Sequence, residues 1–201
     1  MIITSRIPKG KTRCTIMTDG GESFTVSVRD ARLYGLEEGA EISASVLSLI
    51  REQLRQEILH ESGILLGGRD YTEKRLTEQL LERDYPEDLV QEAVQSLKEA
   101  RYLDDRRFAE QYLSAHLSDR SIARIRQDLA QRGVDNKLID EAVSACSVEE
   151  IQEEELAQIR QLLKKRHYDP ESADYAEQQK TAAFLYRRGF DAGLIRKAMR
   201  T

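Results

Sequence analysis

The sequence predicts a mainly α-helical protein, built as tandem three-helix repeats in an elongated stack and preceded by a small N-terminal β-hairpin module. Three observations predict it. First, a twenty-residue phrase recurs. RLTEQLLERDYPEDLVQEAV at 75–94 returns as RIRQDLAQRGVDNKLIDEAV at 124–143, an ungapped offset of 49, and more loosely as KTAAFLYRRGFDAGLIRKAM at 180–199, offset by a further 56. Self-similarity of this kind marks folds assembled from one supersecondary unit used repeatedly. Second, 33% of the 201 residues are charged, Trp is absent and only three are Pro, a composition that favours helix over a β-sandwich. Third, only the first forty or so residues carry the short, β-prone, glycine-punctuated runs of a sheet.

Those runs are KTRCTIMTD and ESFTVSV, with Gly20-Gly21 between them beside Asp19, a strong hairpin signal. Gly35 and Gly39 then punctuate GLEEGAEIS, and Ile42 reads as a short third strand. A sheet of two or three strands is marginal alone, so residues 1–43 are expected to pack on the helix that follows. That helix, 44–68, opens at Ser43 or Ser45. It carries Leu47, Ile50, Leu54 and Ile58 as one apolar stripe and stops at Gly67-Gly68. Asp70 opens the next, with Glu73 in capping-box spacing and Leu76 and Leu80 facing inward.

The repeated phrase reads as helix, turn, helix. In its second copy Ile125 and Leu129 lead to Arg132, Gly133 takes the left-handed turn, Asp135 caps the next helix, and Leu138, Ile139, Ala142 and Val143 form that helix's buried face. The third copy repeats this with Gly189, Phe190 and Asp191. In the first copy Asp84 replaces the glycine, a tolerable exchange because Asp visits the left-handed region more readily than most residues, and Pro86 sits at the first helical position. A third helix is expected to close each unit. After the first copy it is capped by Asp104 or Asp105 and carries Phe108, Ala109 and Tyr112. After the second it is capped by Ser147 with Glu150, carries Leu156, Ile159, Leu162 and Leu163, and ends in Lys164, Lys165 and Arg166. Tyr102 and Tyr112, in phase with apolar neighbours, read as core. The expected units are a repeat over 69–117, a second over 118–167, and a third over 168–201 that is open to being a truncated copy.

Little here points to catalysis. His60, His116 and His167 stand apart, with no partner at metal-ligand or triad spacing, and Cys14 and Cys146 belong to no CxxC pattern. The Gly-Gly pairs lack the context of a phosphate-binding loop. Asp104-Asp105 suits a helix cap better than a metal, since nothing nearby supplies further ligands. No catalytic residue, metal site or cofactor is expected. The N-terminus shows no secretory leader pattern and no apolar run is long enough for a bilayer, so a cytoplasmic protein without membrane attachment is expected.

Charge is the remaining chemistry. The net −5 is uneven: residues 160–201 carry ten Lys/Arg against five Asp/Glu, so +5, and residues 1–159 carry −10. Arg124, Arg126, Arg132, Lys164, Lys165, Arg187, Arg188, Arg196 and Lys197 are the contact candidates for phosphate or an acidic protein surface, chosen by charge and position. The helix–Gly–helix outline is that of a DNA-binding helix-turn-helix, but its second helix, KLIDEAV, is acidic and a poor reader of a groove.

YLDDRRFAEQYL at 102–113, followed by the phrase at 124–143 inside tandem three-helix repeats, resembles the central region of the RecX family, whose members regulate the RecA recombinase. TEKRLTEQLLERDYPEDLVQEAVQSLKEARYLDD at 72–105 is similar to the family's first repeat, and the β-rich N-terminus to an extension some members carry. The resemblance implies a non-enzymatic accessory protein that binds the RecA–single-stranded DNA filament along its groove; a monomer is expected. It would modulate, in the inhibitory direction, strand exchange, ATP hydrolysis and co-protease activity. Some members also bind single- or double-stranded DNA, so a direct nucleic-acid-binding helical repeat is the alternative, and a plain protein scaffold a third. The chain departs from the family at SDRSIARIR (118–126), where a Lys-Gly or Pro-Gly element is expected, and in its negative net charge.

An elongated stack has a measurable signature. A compact globule of this length has a radius of gyration of about 16–17 Å. Solution scattering is expected to return a clearly larger value, and one at the compact limit would rule out the extended arrangement.

Overall fold

The protein is described here by a computed structural model, over residues 1–200. The chain forms two compact units, Met1–Leu103 and Asp104 onward.

The first unit opens with a three-stranded antiparallel meander, β1 (Ile3–Lys9), β2 (Arg13–Thr18) and β3 (Ser23–Ser27), in that spatial order. Alternation sets its faces. Cys14 pairs with Val26 and Ile16 with Phe24, so four buried side chains share one face, while Thr15 and Thr25 hydrogen-bond across the other at 2.8 Å. Gly21, at φ +82°, makes the β2–β3 turn. The sequence predicts this hairpin but not β1. Pro8 is tolerated because β1 lies at the sheet edge. Conversely, the strand expected at Ile42 is reduced to an isolated bridge between Ile2 and Glu41, with Ile42 N–H donating to the Met1 carbonyl at 2.8 Å.

A short helix, α1 (Val28–Leu33), capped by Ser27, leads to α2 (Ala44–Gly68), capped by Ser43. Ile50, Leu54, Ile58 and Ser62 recur every fourth residue as the buried stripe of α2. That stripe meets α3 (Glu73–Leu81) and α4 (Glu87–Glu99), and one apolar cluster runs from Ile3 through Leu80 and Val94 to Leu103. The β-module therefore shares the core of the helices that follow it and is no separate domain. Thr72, not Asp70, caps α3, its hydroxyl accepting from Arg75 N–H at 3.3 Å. Pro86 is the capping residue itself, one position before α4 begins.

The second unit contains α5 (Asp105–His116), α6 (Ile122–Gln131), α7 (Asn136–Ser144), α8 (Val148–Lys165), α9 (Tyr175–Arg187) and α10 (Ala192–Met199). Its apolar clusters draw the boundaries elsewhere than the sequence reading does. Ala109, Leu113 and Leu117 of the α5 stretch are buried with Ile125, Leu129, Val134, Ile139 and Ala142, so α5 belongs with α6 and α7. Leu156, Ile159 and Leu163 of α8 are buried with Leu185, Phe190, Ile195 and Ala198, so α8 belongs with α9 and α10. Each three-helix unit thus completes itself with the helix before the repeated phrase, not the one after it, and the last unit is not truncated. A helix flanked by phrases on both sides shows the same stripe whichever neighbour it joins, and periodicity cannot choose.

The turns between paired helices are left-handed where the phrase predicts: Asp84 at φ +62°, Gly133 at +87° and Gly189 at +88°. Gly189 is doubly constrained. A Cβ there would lie 2.8 Å from Ser121 Oγ and 2.9 Å from Ala123 Cβ. G189A is therefore expected to destabilise the protein by about 2 kcal/mol or more, combining the left-handed cost with the collision. D84G, which relieves a left-handed residue, is expected to change stability by less than about 1 kcal/mol. Chemical denaturation of the two variants checks both.

Candidate partner interface

The nine cations singled out by sequence separate into two groups with different fates. In the second three-helix unit they are engaged. Asp128 of α6 lies on the buried side of its helix, its side chain only 5% exposed. A carboxylate so placed must be paired. It accepts from Arg120 Nη1 at 2.7 Å and the Tyr112 hydroxyl at 3.2 Å, and forms an ion pair with Arg124 Nε at 3.0 Å. Arg132, the residue capping the α6 C-terminus, donates from Nη1 to the Asp128 carbonyl at 3.1 Å and lies over the Tyr112 ring at 4.7 Å. Burial pushes the Tyr112 phenol up, against the pull of the Arg132 charge. Arg126 is paired with Asp140 of α7. These three arginines hold their own unit together.

The other six lie on the third three-helix unit, and their surroundings differ. Lys164 and Lys165 are exposed in the last turn of α8, and Arg187 in the last turn of α9. Arg188 caps the α9 C-terminus, and Arg196 and Lys197 are exposed in the last turn of α10. Among the described residues, no Lys or Arg from Arg160 to Arg200, Lys197 set aside, forms an ion pair. The acids that might neutralise them serve the backbone instead. Asp174 accepts from Glu177 N–H at 2.7 Å to cap α9, and Asp191 accepts from Gly193 N–H at 2.6 Å to cap α10. Asp169 takes the Ser172 hydroxyl at 2.6 Å and Glu171 N–H at 3.1 Å, and these bonds hold its carboxyl below the ordinary range. Three of the five carboxylates of residues 160–201 are occupied in this way. The five glutamates at the start of α8 balance the charge of the unit as a whole, so its positive character is local to the helix ends.

Two of these cations are held in place. Arg166 and Arg188 each lie over the half-buried Phe184 ring of α9, at 4.4 and 4.5 Å from its centroid. Arg166 joins the candidate set on this geometry. Its sequence position beside Lys164 and Lys165 signals the basic helix end, but nothing in the sequence pairs it with Phe184. The tyrosines are a second surprise. Tyr102 is 66% exposed, and so is no core residue, and Tyr175 and Tyr186 on α9 are 77% and 68% exposed.

Within the second unit, a polar seam joins α6 to the third three-helix unit. Ser121 caps α6, accepting from Arg124 N–H at 3.3 Å, and donates its hydroxyl proton to the Arg188 carbonyl at 2.6 Å. Gln158 of α8 donates to the Leu117 carbonyl at 2.6 Å. Buried Glu155 of α8 accepts Ile122 N–H at 2.8 Å. Among the described residues no cluster of His, Cys, Asp and Glu is arranged to hold a metal, and no helix is long and apolar enough to cross a membrane.

Residues 104–143, which hold α5 to α7, match the family model for the second three-helix domain of RecX, and residues 153–199, which hold α8 to α10, that for its third. The chain is 35% identical over 137 residues to the regulatory protein RecX of Trichlorobacter lovleyi, covering 66% of this chain and 87% of that one. It belongs to the RecX family. The RecX protein of Caldanaerobacter subterraneus subsp. tengcongensis is 28% identical and matches almost end to end, over 99% of this chain and 98% of its own. Two solved RecX structures share the fold. One, a regulatory protein RecX, has a TM-score of 0.68 at 20% identity, with 100% of this chain and 99% of that one covered. The other, from Lactobacillus salivarius, has a TM-score of 0.64 at 18% identity, with 74% and 96% covered. RecX proteins carry the name of regulators, and this chain is a member of that regulatory family.

The seam makes one pH-dependent contribution. Burial, opposed by the Ile122 N–H bond and reinforced by Asp191, raises the Glu155 carboxyl above its ordinary range. A carboxyl that binds its proton more tightly when folded favours the folded state at low pH and loses that advantage as pH rises from the ordinary carboxylate range of about 4.3 through its raised value. E155Q, which keeps an acceptor for Ile122 N–H without the charge, is expected to be at least as stable as the wild type at pH 8 and to lose ground to it in acid. E155A, which leaves that N–H unsatisfied, is expected to cost about 1–3 kcal/mol. Thermal melts from pH 4 to pH 8 compare all three.

Proposed function

We propose that this protein regulates RecA by binding the RecA–single-stranded DNA filament, and that its third three-helix unit makes the polyanion contact. The observation that carries the reading is the set of exposed cations at the ends of α8, α9 and α10, of which Lys164, Lys165, Arg166, Arg187, Arg188 and Arg196 form no ion pair among the described residues, while Asp174 and Asp191 cap helices. Membership of the RecX family supplies the regulatory role and points to RecA as its object. The effect proposed is inhibitory, on strand exchange, ATP hydrolysis and co-protease activity. The protein acts as a cytoplasmic monomer without cofactor or catalytic residue.

Six of the nine predicted residues stay in this contact set: Lys164, Lys165, Arg187, Arg188, Arg196 and Lys197, joined by Arg166. Arg124, Arg126 and Arg132 are assigned to the integrity of the second three-helix unit, so their substitution acts through folding. The alternative, a nucleic-acid-binding repeat that acts without RecA, draws on the same cations and differs in what it needs from the partner.

Purified protein added at substoichiometric levels is expected to slow RecA-dependent strand exchange and ATP hydrolysis, and R166E/R188E to do so only at several-fold higher concentration. If RecA activity is indifferent to the wild-type protein, the reading is lost. If RecA is indifferent while naked DNA is bound with a steep salt slope, the alternative takes its place.

A further inference from the structure

We propose that the outward face of α9 is a stacking platform for the unpaired bases of a single-stranded nucleic acid, with Tyr175 and Tyr186 as its two rings. This rests on the reading that the third three-helix unit meets a polyanion, and names which polyanion it is built for.

Tyr175 and Tyr186 are 77% and 68% exposed and eleven residues apart on one helix. At 3.6 residues per turn that spacing returns the second ring to within about 20° of the first, roughly 16 Å along the axis. The separation is about five base steps of a stacked strand, so the two rings take different bases of one strand. Between them lie Gln179 and Ala183, both exposed and uncharged. Arg187 borders the stripe on one side, 100° round from Tyr186, and Lys180 lies a little farther round on that side; both are exposed and without ion pairs among the described residues. Glu177 falls on the far side of the helix, near Tyr168, and the Asp174 carboxylate at the α9 N-terminus is taken by Glu177 N–H. The stripe therefore offers π-faces and positive charge with no free carboxylate along it.

Two features favour a single strand over a duplex or a protein. Bases in a duplex are stacked on each other and have no face to give, whereas a single strand offers one per nucleotide, and aromatic rings in a basic groove are how such strands are held. A protein-docking face seats its aromatic anchors within a close-packed, desolvated centre, which two rings about 16 Å apart with only Gln179 and Ala183 between them do not make. From Glu149 to Arg200, the exposed large hydrophobic side chains among the described residues are these two tyrosines alone. Phe184 lies about half a turn round the same helix from Tyr175, and the Arg166 and Arg188 guanidiniums that it holds supply phosphate contacts apart from the rings, already ordered.

The chain has no Trp, so Tyr186→Trp introduces a sole indole reporter. The full-length variant is titrated at low salt with oligo(dT) and with an abasic oligonucleotide of the same length. The wild type is titrated in parallel with Y175A/Y186A and R166E/R188E. Oligo(dT) is expected to quench the indole and bind about tenfold or more tighter than the abasic strand. Y175A/Y186A is expected to weaken oligo(dT) binding by about tenfold per ring while leaving the abasic strand unchanged. R166E/R188E is expected to weaken both. Equal affinity for the two strands, or oligo(dT) binding indifferent to Y175A/Y186A, overturns the platform and leaves the polyanion contact standing. If that indifferent variant also fails to inhibit RecA, the face belongs to a protein instead. No binding of either strand by the wild type overturns the platform and the direct polyanion contact together.

Discussion

In each copy of the repeated phrase the two helices meet at a residue with positive φ: Asp84, Gly133 and Gly189. That left-handed residue stops one helix and aims the next, so the apolar stripes on either side converge on a common core. Everything else in the repeat follows from the need to fill the angle. Leu80 and Leu89, Leu129 and Ile139, and Leu185 and Ile195 are the buried pairs across each turn. A third helix then covers what the pair leaves open. The last turn adds a tertiary demand, because Gly189 is pressed against the first turn of α6.

The copies share this frame and differ in how they use charge. In the second three-helix unit a buried aspartate pairs with Arg120 and Arg124, and Arg132 stacks on Tyr112, which also contacts Arg120. In the third, the aspartates are occupied by backbone N–H groups, and two arginines settle on a phenylalanine, which binds a guanidinium without neutralising it. One unit turns its cations into mortar and the other keeps them available. The contrast depends on where a few carboxylates sit, not on how many there are.

Much of this was legible in the sequence, because it is written in local rules. Caps at Ser43, Asp104, Asp135, Ser147 and Asp191, and the turns at Asp84, Gly133 and Gly189, follow from residue types at set offsets. The positive character of the last forty residues was visible as well. The rest depends on partners far apart in the chain. Nothing local says that α5 packs forward onto α6 and α7, that Asp128 points inward and pairs with Arg120 and Arg124, or that Pro8 lies in an edge strand. Tyrosines in phase with apolar residues read as core, yet Tyr186 follows buried Leu185 and faces solvent. Its helix buries a narrow stripe, and one step of 100° carries the side chain clear of it.

The contact between Ser121 and the Arg188–Gly189 turn has a consequence for descent as well as for stability. The serine ends one helix and holds the carbonyl of a turn far along the chain, and the glycine leaves the space in which it does so. A larger residue at 189 is admissible only if position 121 shrinks, and a smaller residue at 121 abandons two hydrogen bonds at once. Even then the Ala123 methyl and the left-handed backbone at 189 still favour glycine, so position 189 is held by three constraints and position 121 by two hydrogen bonds, and a change at either disturbs the joint between the second and third repeats.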